Sequence, residues 1–218
     1  MIFDPDAPDR SHRGDWTKSL AVGADGVKDL MPLVRRFAYQ GQFVITDKGL
    51  LSMVLQKQAG DILFNHYNKG GDLVVVGIEV KTDVTDYYNF FLEVWSNRSR
   101  ETVGWMHTMK CDYLWYYFKN RGTMYSIDLP RLQKWAFEEG NIRKYELKAA
   151  IVPKQLNDPW GHCVPITVIK EEVGFKTFLR RHTGEWELEP QKLPVAPQKK
   201  HWEEELPPRG HQPSLFKV

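Results

Sequence analysis

The sequence predicts an α/β protein built on a central mixed β-sheet that is flanked by helices. The stretch "ADGVKDLMPLVRRFAYQG" carries apolar residues at helical spacing and ends at a glycine, which is typical of an amphipathic helix. The stretches "DILFNHY" and "LVVVGIEVKTD" are separated by "NKGGD", which indicates a β-hairpin. The second strand is apolar almost throughout from Leu73 to Ile78, as expected for a strand that is covered on both faces.

Further elements are predicted on either side of the hairpin. Before it, "QFVITD" predicts a short strand and "DKGLLSMVLQKQAG" a second helix. After it, "NFFLEVWSN" is interpreted as a third strand of the same group, followed by a short helical turn and a strand from Tyr113 to Phe118. "TMYSIDL" predicts another strand, and "PRLQKWAFEEGN" a helix that ends near Gly140.

The rest of the chain gives weaker patterns. "KYELKAAIV" and "CVPITVIKEEV" could be strands, and "VGFKTFLRRH" could be a basic amphipathic helix or a strand. The predicted organisation is a flexible arm at residues 1–20, a core at 21–140, and a C-terminal extension packed on the core at 141–186. Residues 187–218 are rich in Pro and charge and are predicted to be disordered unless bound.

Composition excludes some classes of protein and leaves others open. The 218 residues include 30 basic and 28 acidic ones, so a basic surface for nucleic acid must come from local clustering rather than from net charge. Two widely separated cysteines exclude a disulfide framework and a zinc-binding spacing. We find no apolar run of membrane-spanning length and no signal-peptide pattern at the start, so we expect a cytoplasmic protein with no membrane partner.

Three charged residues of the hairpin could form a chemical site. Alternation along the second strand puts Glu79 and Lys81 on one face, and pairing across the turn could bring Asp61 beside them. Two close carboxylates repel each other, and a divalent cation such as Mg²⁺ relieves that repulsion. The lysine could orient or deprotonate a metal-bound water, or stabilise developing negative charge. The alternative is an ordinary surface ion pair between Glu79 and Lys81.

The order of these motifs resembles a known group of enzymes. Asp61, the short hairpin and "IEVK" are similar to the core of the PD-(D/E)xK nuclease superfamily, which includes type II restriction enzymes, Holliday-junction resolvases and phage nucleases. The stretch "GADGVKDLMPLVRRFAYQGQFVI" resembles the opening of the resolvases, with Asp29 where that acid is usually Glu. "NFFLEVWSN" and "GWMHTMKCDYLWYYF" resemble phage and plasmid members, so the similarity extends over roughly residues 23–137.

This resemblance implies a restriction-endonuclease-like core and a Mg²⁺-dependent DNA endonuclease in which Mn²⁺ can substitute. Asp61, Glu79 and Lys81 would be catalytic, and Asp61, Glu79 and the Val80 carbonyl would hold the metal. It further implies action on branched or replication intermediates, a phage or mobile-element setting and a possible homodimer. The alternatives are a catalytically silent nucleic-acid-binding or anti-defence protein on this fold, and a protein-interaction module.

Eight other residues are candidates for supporting roles. Asp29, Glu93 and Gln58 could assist at the metal or the water, although each could equally be a solvated surface residue. Gln56, in the same helical stretch as Gln58, is a candidate of the same kind. Contacts to the nucleic-acid backbone are predicted for a further set, for which exposed charge or loop surface is the alternative: Thr108, Lys110, Arg180 and Arg181.

Overall fold

Two β-sheets organise the protein in a computed structural model that describes residues 14–41, 43–45, 56, 58–85, 87–150 and 158–190. In chain order, the strands of the described residues are β1 (Phe43–Ile45), β2 (Ile62–Tyr67), β3 (Leu73–Asp83), β4 (Asn89–Asn97), β5 (Thr102–Val103), β6 (Tyr113–Phe118), β7 (Thr123–Asp128), β8 (Leu147–Ala149), β9 (Trp160–Pro165), β10 (Lys176–Arg180) and β11 (Trp186–Leu188). The α-helices that lie wholly within the described residues are α1 (Gly14–Phe37), α2 (Trp105–Thr108), α3 (Leu129–Gln133) and α4 (Ile166–Glu172).

The larger sheet has seven strands in the order β1-β2-β3-β6-β7-β10-β11. All its neighbours are antiparallel except β3 and β6, which run parallel from the pair Ile78–Tyr113 to the pair Asp83–Phe118. The predicted hairpin is confirmed as β2 and β3, paired from Ile62–Ile78 to Tyr67–Leu73. The α/β class and the mixed central sheet are therefore confirmed.

The second sheet has four strands in the order β5-β4-β9-β8, and all of them are antiparallel. The prediction that β4 joins the hairpin as its third strand is wrong, because β4 lies in this second sheet. Phe90, Leu92 and Val94 are buried at every second position of β4, so one face of the strand is apolar. Such a pattern is expected both for a strand within the larger sheet and for a strand in a second sheet that packs face to face on it.

The two faces of the larger sheet are covered differently. Helix α1 packs on one face through buried residues that include Leu30, Leu33 and Val34, in the same core cluster as Val80 of β3. A Cβ on Gly26 would lie 1.8 Å from the Thr82 hydroxyl oxygen, so the helix approaches β3 closely at this glycine. The second sheet and helices α2, α3 and α4 contribute to the core on the opposite face. Helices therefore contribute to both faces of the larger sheet: α1 covers one, and the second sheet covers the other together with α2, α3 and α4.

Several predicted boundaries differ from the structure. Helix α1 begins at Gly14 and includes Pro32, so residues 14–20 of the predicted arm are helical. The predicted extension at 141–186 supplies strands to both sheets and cannot be separated from the core. Strand β11 occupies the start of the predicted tail because Trp186 is buried against the core. Residues 1–13, most of the predicted second helix (46–55) and residues 191–218 lie outside the described residues.

No helix within the described part of the chain is long and apolar enough to cross a membrane.

Candidate functional site

Gly60 and Gly77 bring the chain before β2 against β3. Gly60 has a φ of +78°, which favours glycine, and a Cβ there would lie 2.3 Å from the Ile78 carbonyl oxygen. A Cβ on Gly77 would lie 2.4 Å from the Ala59 carbonyl oxygen. Neither contact leaves room for a side chain at the glycine. The two glycines therefore let the segment "AGD" lie directly against β3, and this sets the position of the Asp61 side chain.

Asp61 is held in place by hydrogen bonds to both carboxylate oxygens. The Val80 N–H donates to Oδ2 at 2.7 Å, and the Gln56 side-chain amide donates to Oδ1 at 2.5 Å. The side chain is almost fully buried. The sequence prediction that Asp61 lies beside the second strand of the hairpin is therefore confirmed, and Gln56 rather than Gln58 supports it. Gln58 is exposed.

Glu79 and Lys81 lie on the face of β3 that is turned away from α1. The Lys81 Nζ is 2.5 Å from Glu79 Oε1. Glu79 is 2% exposed whereas the Lys81 side chain is 32% exposed, so the pair reaches solvent on the lysine side alone. The second carboxylate oxygen, Glu79 Oε2, is buried and has no hydrogen-bond partner among the described residues. A surface ion pair is therefore excluded, since the glutamate is part of the interior.

The electrostatics of this group follow from burial and from the number of acids. Burial raises the pKa of Glu79 to about 7, and the charge of Asp61 adds to this effect while Lys81 opposes it. For Lys81, burial lowers the pKa, but the nearby carboxylates of Glu79 and Asp61 outweigh burial and leave the pKa raised. The lysine is thus a stable cation, and the glutamate is the group whose charge is costly.

Glu93 and Trp105 bring the second sheet and helix α2 to the same group. The Lys81 Nζ lies 5.4 Å from the centroid of the Trp105 ring, a cation–π distance. The backbone N–H of Trp105 donates to Glu93 Oε1 at 3.4 Å. Burial raises the pKa of Glu93, and its charge contributes to the raised pKa of Lys81. Sequence reasoning identified Glu93 but missed Trp105, because nothing local shows that α2 lies over β3.

The donor set can be tested against a divalent cation. Asp61 and Glu79 offer carboxylate oxygens, and the Val80 carbonyl points to the same side of β3 as its N–H, which bonds to Asp61. Mg²⁺ is usually held by one or two carboxylates and keeps waters or substrate phosphate oxygens as its other ligands. The described residues contain no group of three or more His, Cys, Asp or Glu arranged for a metal. A Mg²⁺ site with only two carboxylates needs no such group, and Glu79 Oε2, which has no partner among the described residues, is free to serve as one of its ligands.

Asp29 is not brought to the Asp61–Glu79–Lys81 group. It lies on the α1 face of the sheet, where its carboxylate contacts Arg180 at 3.3 Å, Lys119 at 3.5 Å and the Tyr117 hydroxyl at 3.3 Å. The similarity to the resolvase opening therefore does not extend to the place of this acid.

The four residues predicted to contact nucleic acid differ in whether their polar groups already have partners within the protein. Arg180 pairs with Asp29, and Arg181 pairs with Glu187 at the edge of the larger sheet, so both charges have intramolecular partners. Thr108 is the last residue of α2, and its hydroxyl donates to the carbonyl of Gly104, which precedes the helix. Lys110 is exposed, in the segment that joins α2 to β6. Arg180 and Arg181 are exposed too, but of the three basic residues Lys110 alone has no acid partner among the described residues.

Comparison with known proteins adds no family to this description. No protein-family model matches the sequence, and neither the curated proteins nor the solved structures contain a match. The functional argument therefore depends on the geometry of the site.

Proposed function

We propose that the chain is a metal-dependent nuclease that hydrolyses phosphodiester bonds of DNA, on a core of the restriction-endonuclease type. The observation that carries the proposal is the Glu79 carboxylate, which is buried beside Asp61 with one oxygen paired to Lys81 and the other without a partner. Such an oxygen is costly to bury, and a divalent cation between two carboxylates would offset that cost. The hairpin β2–β3 and the parallel strand β6 also support this core.

Asp61, Glu79 and the Val80 carbonyl would hold Mg²⁺ or Mn²⁺. When bound, the metal would polarise a phosphate oxygen and lower the pKa of a water ligand. Asp61 is prepared for this role because Val80 and Gln56 fix its orientation while each of its oxygens keeps a lone pair. Glu79 must be ionised to bind the cation, so metal binding would release a proton near or below pH 7.

Lys81 would act as a fixed positive charge. Because its pKa is raised rather than lowered, it keeps its proton near neutral pH and is not suited to abstract one. The Lys81 side chain is partly exposed to solvent. From there its ammonium group can orient the attacking water and stabilise the negative charge that develops on the phosphate. Trp105 lies beside the ammonium group and limits where it can move.

The experiment is cleavage of supercoiled plasmid, single-stranded, branched and RNA substrates in Mg²⁺ and in EDTA. Wild type should nick or cut at least one DNA substrate in Mg²⁺, and Lys81→Ala should not. Absence of cleavage on every substrate would overturn the proposal. The preference for branched DNA, the phage setting and the homodimer stay predictions of the resemblance.

A further inference from the structure

The loop that follows β3 exposes two adjacent aromatic rings. Tyr87 and Tyr88 are 67% and 74% exposed, and Val84 at the start of the same loop is also exposed. Isolated exposed apolar residues are common on protein surfaces, but adjacent tyrosines combine large flat faces with few rotatable bonds. The loop therefore offers a surface on which another flat ring can stack.

Hydrogen bonds hold this loop in place. The Arg121 guanidinium donates to the Tyr87 carbonyl at 3.1 Å, and the Ile166 N–H donates to the Tyr88 carbonyl at 3.1 Å. The Asn120 side-chain amide donates to the Val84 carbonyl at 2.5 Å. These bonds hold the backbone carbonyls of Val84, Tyr87 and Tyr88, so the points at which the two tyrosine side chains leave the chain are defined.

Arg121 adds a positive charge to this surface. Its guanidinium lies 4.8 Å from the centroid of the Tyr88 ring and 4.1 Å from that of Phe118. It has no carboxylate partner within the described residues, and its Nε is buried without an acceptor. Other cations near this end of the sheet differ, because each pairs with an acid: Lys119 with Asp25 and Asp29, Arg180 with Asp29, and Arg181 with Glu187. Arg121 therefore brings to this surface a positive charge that no acid of the described residues neutralises.

The surface lies on the same side of the sheet as Glu79 and Lys81. Phe118, on which Arg121 stacks, belongs to the core cluster between the two sheets rather than to the cluster under α1. Phe118 pairs with Asp83, two residues beyond Lys81 and so about 7 Å further along β3. Asp83 accepts hydrogen bonds from Thr85 and Tyr116. A strand of nucleic acid that has a phosphate at Lys81 and runs toward the end of β3 approaches the tyrosines on this face.

We propose that Tyr87, Tyr88 and Arg121 form a stacking site for unpaired bases of the nucleic-acid strand whose phosphate lies at Lys81. Unpaired bases present free π-faces that stack on aromatic rings, and an arginine without an acid partner suits the phosphates between them. A blunt duplex covers those faces and cannot use the rings. The role in substrate choice rests on the proposed nuclease function and narrows its substrate to DNA with a single-stranded segment.

The test measures binding of the full chain to a short fluorescein-labelled oligothymidylate by anisotropy in EDTA, where no cleavage occurs. Replacing both rings, Tyr87→Ala with Tyr88→Ala, should weaken binding by about tenfold or more. The pair Tyr87→Phe with Tyr88→Phe should bind like wild type because the stacking faces remain. Tyr67→Ala is the matched control, since Tyr67 is also exposed but lies at the opposite end of β3, next to the hairpin turn. It should leave binding unchanged.

A second measurement needs no substitution. Wild type should change the fluorescence of 2-aminopurine placed within the oligonucleotide, because a stacked base is quenched differently from a free one. Circular dichroism checks that the alanine variants fold. Unchanged binding by the double alanine variant, a blunt duplex bound as tightly as the single strand, or no 2-aminopurine response would each overturn the proposal.

The nuclease proposal fails separately. Lys81→Ala should lose cleavage in Mg²⁺ and can weaken strand binding through the lost phosphate contact, but in EDTA the double tyrosine-to-alanine change should still weaken binding further on the Lys81→Ala background. If wild type binds the strand through the tyrosines and cleaves nothing, the nuclease function is wrong and the stacking site stands. If wild type cleaves and the tyrosines do not matter for binding, the stacking site is wrong and the nuclease function stands.

Discussion

Two groups of charged side chains lie on opposite faces of the seven-stranded sheet, and they differ in how completely they are satisfied. On the α1 face, Asp29 contacts Arg180, Lys119 and the Tyr117 hydroxyl, so both of its oxygens have partners. On the other face, Glu79 has a single cationic partner in Lys81 and an oxygen without any among the described residues. The first group ties α1 to β6 and β10. The second leaves one buried carboxylate oxygen without a partner among the described residues.

The two groups differ in what their charges cost the folded protein. A partly exposed acid with several cationic neighbours contributes modestly to stability and needs no ligand. A buried acid with a raised pKa and an unpaired oxygen reduces stability until a cation compensates it. The predictions below each test one side of this contrast.

The largest effect is expected at Lys81. Lys81→Ala should reduce Mg²⁺-dependent DNA cleavage by about a hundredfold or more, because it removes the fixed positive charge beside the scissile phosphate. Initial rates on the best DNA substrate measure this effect. Lys81→Arg keeps the charge but not its shape and should recover part of the rate. Full activity in Lys81→Ala would show that the buried pair has no role in the reaction.

The next effect concerns the backbone that positions Asp61. Gly60→Ala should lower the free energy of unfolding by more than about 2 kcal/mol, since it combines a positive φ with a Cβ that would lie 2.3 Å from the Ile78 carbonyl oxygen. Gly71→Ala is the matched control, because Gly71 has a φ of +86° and open space around it. It should cost about 1 kcal/mol. Urea unfolding of both variants gives the comparison, and equal losses would contradict this account of Gly60.

The pH dependence of stability should report Glu79. Its pKa rises from an ordinary value of 4.5 to about 7 on folding, so the folded state binds more protons than the unfolded state between these values. In EDTA, the contribution of Glu79 to the free energy of unfolding should therefore fall as pH rises through this range. Metal affinity should rise over the same range. Glu79→Gln should remove this contribution from the pH profile, and an identical profile in the variant would assign the effect to other groups.

The smallest effect is expected on the α1 face. Asp29→Asn should lower the free energy of unfolding by about 1 kcal/mol, because it weakens charged contacts to Arg180 and Lys119 that are partly exposed. Cleavage and metal affinity should stay near wild type. A large loss of cleavage with normal stability would place Asp29 in the reaction, as the resemblance to the resolvases implied.

The parts of the fold that the sequence predicted depend on local patterns. The turn "NKGGD" and the apolar run after it predicted β2 and β3, and β6 has the predicted bounds of Tyr113 to Phe118. Asp61 could be placed beside β3 because strand pairing fixes register from a short turn. These features require information from neighbouring residues alone.

The features that were missed depend on contacts between distant segments. The sequence of β4 alternates like that of any strand with one apolar face. Its place in a second sheet is set by its antiparallel pairing with β9. Trp105 lies above Lys81 because that sheet folds over the first, which no periodicity in the sequence shows. For the segment "VGFKTFLRRH" the sequence left helix and strand open, and pairing with the edge of β7 gives the strand β10. Tertiary packing decided each of these outcomes over local propensity.

The central claim is that Asp61 and Glu79 form a divalent-cation site, and calorimetric titration with Mn²⁺ tests it most directly. Wild type should show saturable binding near neutral pH. Asp61→Asn should weaken it by at least about tenfold through the loss of one carboxylate ligand, and Asp29→Asn should leave it unchanged. Wild type without saturable binding, or the same loss in both variants, would contradict the claim.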